Sequence, residues 1–135
     1  MKIHEAIGIP VAMHLGGGSD IIRAVNAGVV DCVNLGGGLV GYGRNAAVAA
    51  AAGLRCWHGS GVDLGIMETS YLHAACVVPN CTMASDFVGS WVREDDLILE
   101  PLTFEDGFVP TPTEPGLGYE IDWDLGKREH TGTLE

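Results

Sequence analysis

Residues 19–38 read SDIIRAVNAGVVDCVNLGGG, and this stretch decides how the rest of the chain is read. Ser19 or Asp20 is the kind of residue that caps a helix, Ile21, Ile22, Ala24 and Val25 follow helical spacing, and Gly28 is the kind that closes one. Val29 to Leu35 then runs mostly apolar into Gly36-Gly37-Gly38. A helix closed by glycine and followed at once by a short apolar run predicts a buried strand of a parallel sheet, with the helix as crossover.

The same unit recurs on both sides. Upstream, a helix ends near Ile7-Gly8, a strand is expected over Ile9 to His14, and Gly16-Gly17-Gly18 follows. Downstream, a helix over about Arg44 to Ala52 stops at Gly53, a strand runs from Leu54 to Trp57 or His58, and Gly59-Ser60-Gly61 follows. A fourth helix, about Leu64 to Val77, leads through Pro79-Asn80 to a short strand over Thr82 to Ser85. The strands begin roughly 20 to 25 residues apart, which leaves room for one helix each. Four such α/β units fit half of a (β/α)₈ barrel or a small doubly wound sheet. In both architectures ligands gather at the carboxyl ends of the strands: here His14 to Gly18, Asn34 to Gly38, His58 to Asp63, and Ser85-Asp86.

The chain has 135 residues, 47% of them hydrophobic, which predicts a globular protein of about one domain. Its formal charge of −11 is uneven: residues 1–85 carry five acids and four bases, residues 86–135 thirteen acids and three bases. Nucleic acid and anionic lipid are therefore excluded as partners, since both need basic surfaces. Cys32, Cys56, Cys76 and Cys81 lack metal or redox spacing and read as buried thiols. The start lacks a leader's apolar core, and the alanine-rich run 45–54 is too short to span about 30 Å of hydrocarbon, so a soluble cytoplasmic protein is expected. The expected organisation is a half-barrel over residues 1–86 and an acidic extension over 87–135. In the extension, Glu94-Asp95-Asp96 reads as a solvated turn, short strands are broken by proline and glycine, and Lys127 to Glu135 reads as a loose end.

Each chemically capable residue has two readings. His14 ends a strand, where it is either a metal ligand or a hydrogen-bonded strand-end histidine. His58 is either a general base or a side chain turned to the opposite face, because one residue of offset reverses a strand's orientation. Asp63 is either a catalytic carboxyl group or the cap of the helix beginning at Leu64. Asn34, Ser60 and Asp86 are the candidate substrate contacts, Asn34 alternatively satisfying an interior hydrogen bond. The glycine runs 16–18, 36–38 and 59–61 either cradle an anion with backbone N–H groups or make tight turns. His4 and His73 lie on helices and read as surface or packing residues.

Taken in order, Ile9-Pro10-Val11-Ala12, Asp31-Cys32-Val33-Asn34-Leu35, Ala52-Gly53-Leu54, His58-Gly59-Ser60, Leu72-His73-Ala74-Ala75, Asp95-Asp96-Leu97 and Pro115-Gly116-Leu117-Gly118-Tyr119-Glu120 resemble the C-terminal portion of enolase-superfamily enzymes of the muconate-lactonizing and mandelate racemase branch. The resemblance covers about residues 3 to 125. It implies a partial TIM-like barrel, the (β/α)₇β form, to which this chain contributes the fifth to eighth strands while its tail returns to a capping domain. It also implies Mg²⁺ and abstraction of the proton α to a carboxylate.

The same resemblance places the family's lysine motif and first two metal carboxylates upstream of Met1. The third carboxylate falls at His14 and the sixth-strand lysine at Gly36, so neither is retained, whereas Asp63 and Asp86 keep a carboxylate. The seventh-strand histidine of mandelate racemase-like members falls at Gly59, one residue beyond His58. The expectation is thus a fragment or subunit of an isomerase or lyase acting on a small carboxylate. It would be inactive alone and complete its barrel by homo-oligomerisation or a companion chain. The rival expectation is a non-catalytic, degenerate half-barrel that binds a small anion or serves as a structural module.

Overall fold

The computed structural model describes residues 3–130. Three parallel strands, β1 (Ala12–Leu15), β2 (Cys32–Leu35) and β3 (Arg55–His58), lie side by side in sequence order. Helix α1 (Ile3–Ile7) precedes them, and α2 (Gly18–Ala27) and α3 (Gly38–Ala51) connect them. Helix α4 (Gly65–Val77) follows β3. The α2 stop is the one anticipated: Gly28 adopts φ 59°, and its N–H with that of Val29 donates to the Val25 and Ala24 carbonyls. Arg55, Trp57 and the other strand residues alternate faces with a period of two. Met13, Leu15, Val33, Leu35, Cys56 and His58 all turn toward the helices, where Ile21, Ala24, Tyr42, Ala46, Ala49 and Ala74 complete the core.

Several expectations are corrected. Thr82 to Ser85 form no strand: the fourth unit meets the sheet through a bridge from Cys81 to Cys56, through Cys56 N–H donating to Asn80 O at 2.9 Å, and through His58 N–H donating to Ser85 Oγ at 3.3 Å. Asn80 holds that crossing by donating to the Ala46 carbonyl of α3 and to the Leu54 carbonyl just before β3. Helix α3 begins at Gly38, six residues before Arg44, because the apolar Leu39, Val40 and Tyr42 extend it through Gly41 and Gly43. Cys76 is exposed and Cys81 partly so; only Cys32 and Cys56 are buried.

The acidic extension also differs from its reading. Short helices α5 (Gly89–Val92) and α6 (Trp123–His130) form, and isolated bridges Ile98–Ile121 and Glu105–Phe108 replace the expected strands. Residues 127–130 of the expected loose end close α6, and residues 131–135 lie outside the described residues. The extension lies along α4, where His73 Nε2 meets Leu117 O at 3.0 Å and Cys76 Sγ meets Thr111 Oγ1 at 3.0 Å. His73 thus ties the extension to α4, while the side chain of His4 lies outside the described residues.

Asp96 is no solvated turn residue. Its side chain is 9% exposed and pairs with Arg93, which also bonds Glu68 at 2.9 Å, with Glu68 only 2% exposed. Glu68 Oε1 accepts from Gly89 N–H, and Asp96 Oδ1 accepts from Gly65 and Leu97 N–H. A Cβ at Gly89 would fall 2.6 Å from Glu68 Oε1 and still closer to Arg93, so only glycine lets α5 approach this charge cluster.

Candidate functional site

The face of the sheet turned away from the helices carries the row His14, Asn34 and Trp57, which the register sets side by side on β1, β2 and β3. No helix of the described residues covers this row, and in a closed barrel it is the interior wall. His14 Nδ1 lies 3.1 Å from Asn34 Oδ1. Since that oxygen only accepts, the imidazole donates from Nδ1; in the neutral ring Nε2 then keeps its lone pair, and the Asn34 amide keeps its N–H donors. Trp57, half-buried at the far end, adds an apolar ring to the polar pair.

Gly59 follows on the same face. A Cβ there would stand 2.0 Å from Asn34 Oδ1 and 2.8 Å from Nδ2, so the absence of a side chain is what lets the amide lie across β3. Gly59→Ala is therefore expected to displace Asn34 and break its bond to His14, at a cost of about 1 to 3 kcal/mol. Long-range ¹H–¹⁵N spectra of the His14 ring check this: a changed Nδ1 resonance is the expected result, and an unchanged one would show that the amide does not occupy this space.

His58 belongs to the opposite face. It is 1% exposed and packed against Tyr71 at a ring-centroid distance of 3.4 Å, Tyr42 at 5.4 Å and Phe87 at 5.8 Å; neither ring nitrogen has a hydrogen-bond partner. Burial lowers its pKa to about 4, against a smaller opposing pull from Asp63 and Asp86. A histidine so placed is neutral at pH 7, is a weak base, and does not share a face with His14 and Asn34. The reversal that one residue of offset produces is the arrangement present.

Asp63, Ser60 and Asp86 meet in the loop after β3. Asp63 Oδ2 accepts from Gly61 N–H at 2.7 Å, Ser60 Oγ from Val62 N–H at 3.2 Å, and Asp86 Oδ1 from Ser60 N–H at 3.3 Å. The capping alternative for Asp63 does not hold, because α4 is capped by Leu64 without a side-chain bond. Val62 sits at φ 64°, a conformation that costs a β-branched residue energy and that this bonded loop enforces. Of the glycine runs, 16–18 has the Asp20 carboxylate over Gly16, which sets a negative charge where an anion would bind.

Among the described residues, no three His, Cys, Asp or Glu side chains come together as an ion site. His14 faces an amide, and one imidazole nitrogen outside any cluster of carboxylates does not match the oxygen shell that Mg²⁺ requires. The residues present do not fit the metal that the resemblance implies. No helix among them is long and apolar enough to cross a membrane. Trp57 does not stand out in the sequence, and Gly59 reads there only as a backbone N–H or a turn, although the period of two counted along β3 in register with Asn34 places both on this face.

The family model described as Enolase C-terminal domain-like matches residues 1–125. Muconate cycloisomerase 1 of Rhodococcus opacus is 30% identical over 112 residues, 80% of this chain and 30% of that enzyme. N-succinylamino acid racemase of Amycolatopsis sp is 33% identical over 99 residues, 70% of this chain and 27% of the racemase. Muconate lactonizing enzyme from Klebsiella pneumoniae superposes with a TM-score of 0.80 at 27% identity, over 88% of this chain and 35% of that one. For 2-chloromuconate cycloisomerase from Rhodococcus opacus 1CP the TM-score is 0.85 at 23% identity, over 97% and 37% of the two chains, a likeness of fold. The chain thus spans about a third of the length of the relatives it matches. With its parallel strands, one-sided helix layer and ordered motifs accounted for, the chain belongs to the enolase C-terminal domain-like family and is built as part of its TIM-type barrel.

Proposed function

We propose that the chain supplies one side of a barrel enzyme that isomerises or eliminates on a small carboxylate, and that it is inactive until complementary βα units close the barrel. The observation that carries this is the uncovered face of a parallel sheet bearing the His14–Asn34 pair. Parallel strands are ordinarily covered on both faces, so this one lacks its other half. An open groove of about 420 Å³ along β1, lined by Met13, His14, Asp20 and Arg23, marks the edge where the next unit would seat. A companion chain or a second copy would fill it, and the acidic extension would reach the capping unit above.

In this reading the Asn34 N–H groups hold a substrate carboxylate oxygen and the His14 ring orients it, while Trp57 excludes water from the apolar part. Ser60, Asp63 and Asp86 shape the rim loop without touching the interior row. The groups that take the α-proton, and any ion that stabilises the resulting enediolate, come from the complementary units; the residues here bind and orient. Muconate and N-succinylamino acids, which appear in the names of two relatives, are the first carboxylates to assay.

The test mixes this chain with the complementary N-terminal part of Rhodococcus opacus muconate cycloisomerase 1 and follows loss of the muconate diene absorbance and racemisation of an N-succinylamino acid. Turnover only in the mixture is expected, with Asn34→Leu lowering kcat/KM by about 10- to 100-fold. A compact monomer in sedimentation, with no association and no turnover, would overturn the proposal. If that monomer bound simple carboxylates, the anion-binding half-barrel would stand in its place.

A further inference from the structure

We infer that Cys56 and Cys81 form a redox-active dithiol, in which a peroxide oxidises the partly exposed Cys81 and the buried Cys56 resolves it to an intrachain disulfide. The two residues stand opposite one another across a parallel bridge, and Cys56 N–H is held by Asn80 O at 2.9 Å. Strands so paired place Cα atoms about 4.8 Å apart, within the roughly 4.4 to 6.8 Å that a disulfide spans. Both side chains lie on the helix side, Cys56 inside the core and Cys81 packed at its margin.

The pair is chemically asymmetric. The Cys56 S–H donates to the Cys81 sulfur, and together with the Tyr42 hydroxyl and the His58 backbone N–H it outweighs burial and draws the Cys81 thiol down to about 6. The same bond, with burial, pushes the Cys56 thiol up and keeps it protonated. The Tyr42 hydroxyl lies 3.8 Å from Cys56 Sγ and closes the cluster. Cys81 is thus the thiolate that meets oxidant, and Cys56 is the proton-bearing thiol beside it. Cys32 lies on the other face of the sheet, and Cys76 is exposed against Thr111.

The Cys81 thiolate sulfur attacks one peroxide oxygen, the O–O bond breaks, and the departing oxygen takes a proton and leaves as water, giving Cys81 sulfenic acid. The Cys56 sulfur then attacks the Cys81 sulfur, the S–O bond breaks, and the hydroxide leaves as water with the Cys56 proton. Two thiols and one peroxide become one disulfide and two waters. The product would fix β3 to the segment after Asn80 and enclose α4 in a covalent loop.

The experiment treats the full chain with hydrogen peroxide, alkylates remaining thiols in denaturant, and maps peptides by mass spectrometry. A Cys56–Cys81 crosslink with loss of two thiols, reversed by dithiothreitol and unaffected by Cys76→Ser, is the expected result. Cys81→Ser should abolish it. Should that variant not fold, the unaltered protein still decides: iodoacetamide labelling of Cys81 should have its midpoint near pH 6 when folded and at about 8.5 in urea. First oxidation at Cys76, crosslinking only between chains, or a Cys81 labelling midpoint unchanged by unfolding would each overturn the assignment.

Discussion

Arg93→Met is expected to lower the unfolding free energy by about 3 to 5 kcal/mol at neutral pH, a large fraction of the roughly 5 to 15 kcal/mol typical of a domain. The guanidinium is 10% exposed and faces two carboxylates exposed by 2% and 9%, and it also donates to the Asp63 carbonyl. Its removal strands Glu68 and Asp96 as uncompensated charges between α4 and the extension, with the Gly89, Gly65 and Leu97 N–H donors as their remaining partners. Arg93→Lys should recover only part of the loss, because an ammonium cannot fork to Glu68, Asp96 and the Asp63 carbonyl together. Urea unfolding midpoints of the three proteins measure this, and a Met variant within 1 kcal/mol of the parent would show that the cluster is solvated.

The second large effect lies in acid. In the unfolded chain His58 takes up its proton below about 6.5, whereas in the folded protein burial holds that event down to about 4. Between those values the unfolded chain binds more protons, so stability falls as pH drops through this window and levels off below it. At about 1.36 kcal/mol for each pH unit, His58 removes on the order of 3 kcal/mol. The His58→Leu variant, similar in volume among Tyr42, Tyr71 and Phe87, should therefore lose less stability than the parent between pH 7 and pH 4.5. Denaturant titrations at both pH values give that difference directly, and equal losses would mean that protonated His58 finds a partner in the folded state.

Both effects rest on residues whose roles the sequence disguises. Glu68 stands in a helix of mixed hydrophobicity, and Asp96 in a run of three acids that resembles any exposed turn. Only the approach of α5, permitted by Gly89, turns them into one buried cluster with Arg93. His58 follows a clear strand signal, yet its direction depends on a single residue of register, and pairing with Leu35 sends it to the helix side. The same register brings His14, Asn34 and Trp57 into line, a grouping separated by 20 and 23 positions in the chain.

What the sequence determined by itself was the repeating unit: glycine-closed helices, apolar strands in parallel order, and the ordered motifs that mark the family. These are local properties, set by backbone freedom at glycine and by hydrophobic spacing, so they survive without knowledge of partners. Thr82 to Ser85 carried a strand's composition, but there the Ser85 hydroxyl rather than a backbone carbonyl accepts from His58 N–H, while Asn80 ties the crossing to the Ala46 and Leu54 carbonyls. Tertiary structure alone decided which face each strand residue took, which charges were buried together, and that Cys56 met Cys81. These are contacts between residues distant in sequence, and their energy depends on geometry that composition does not encode.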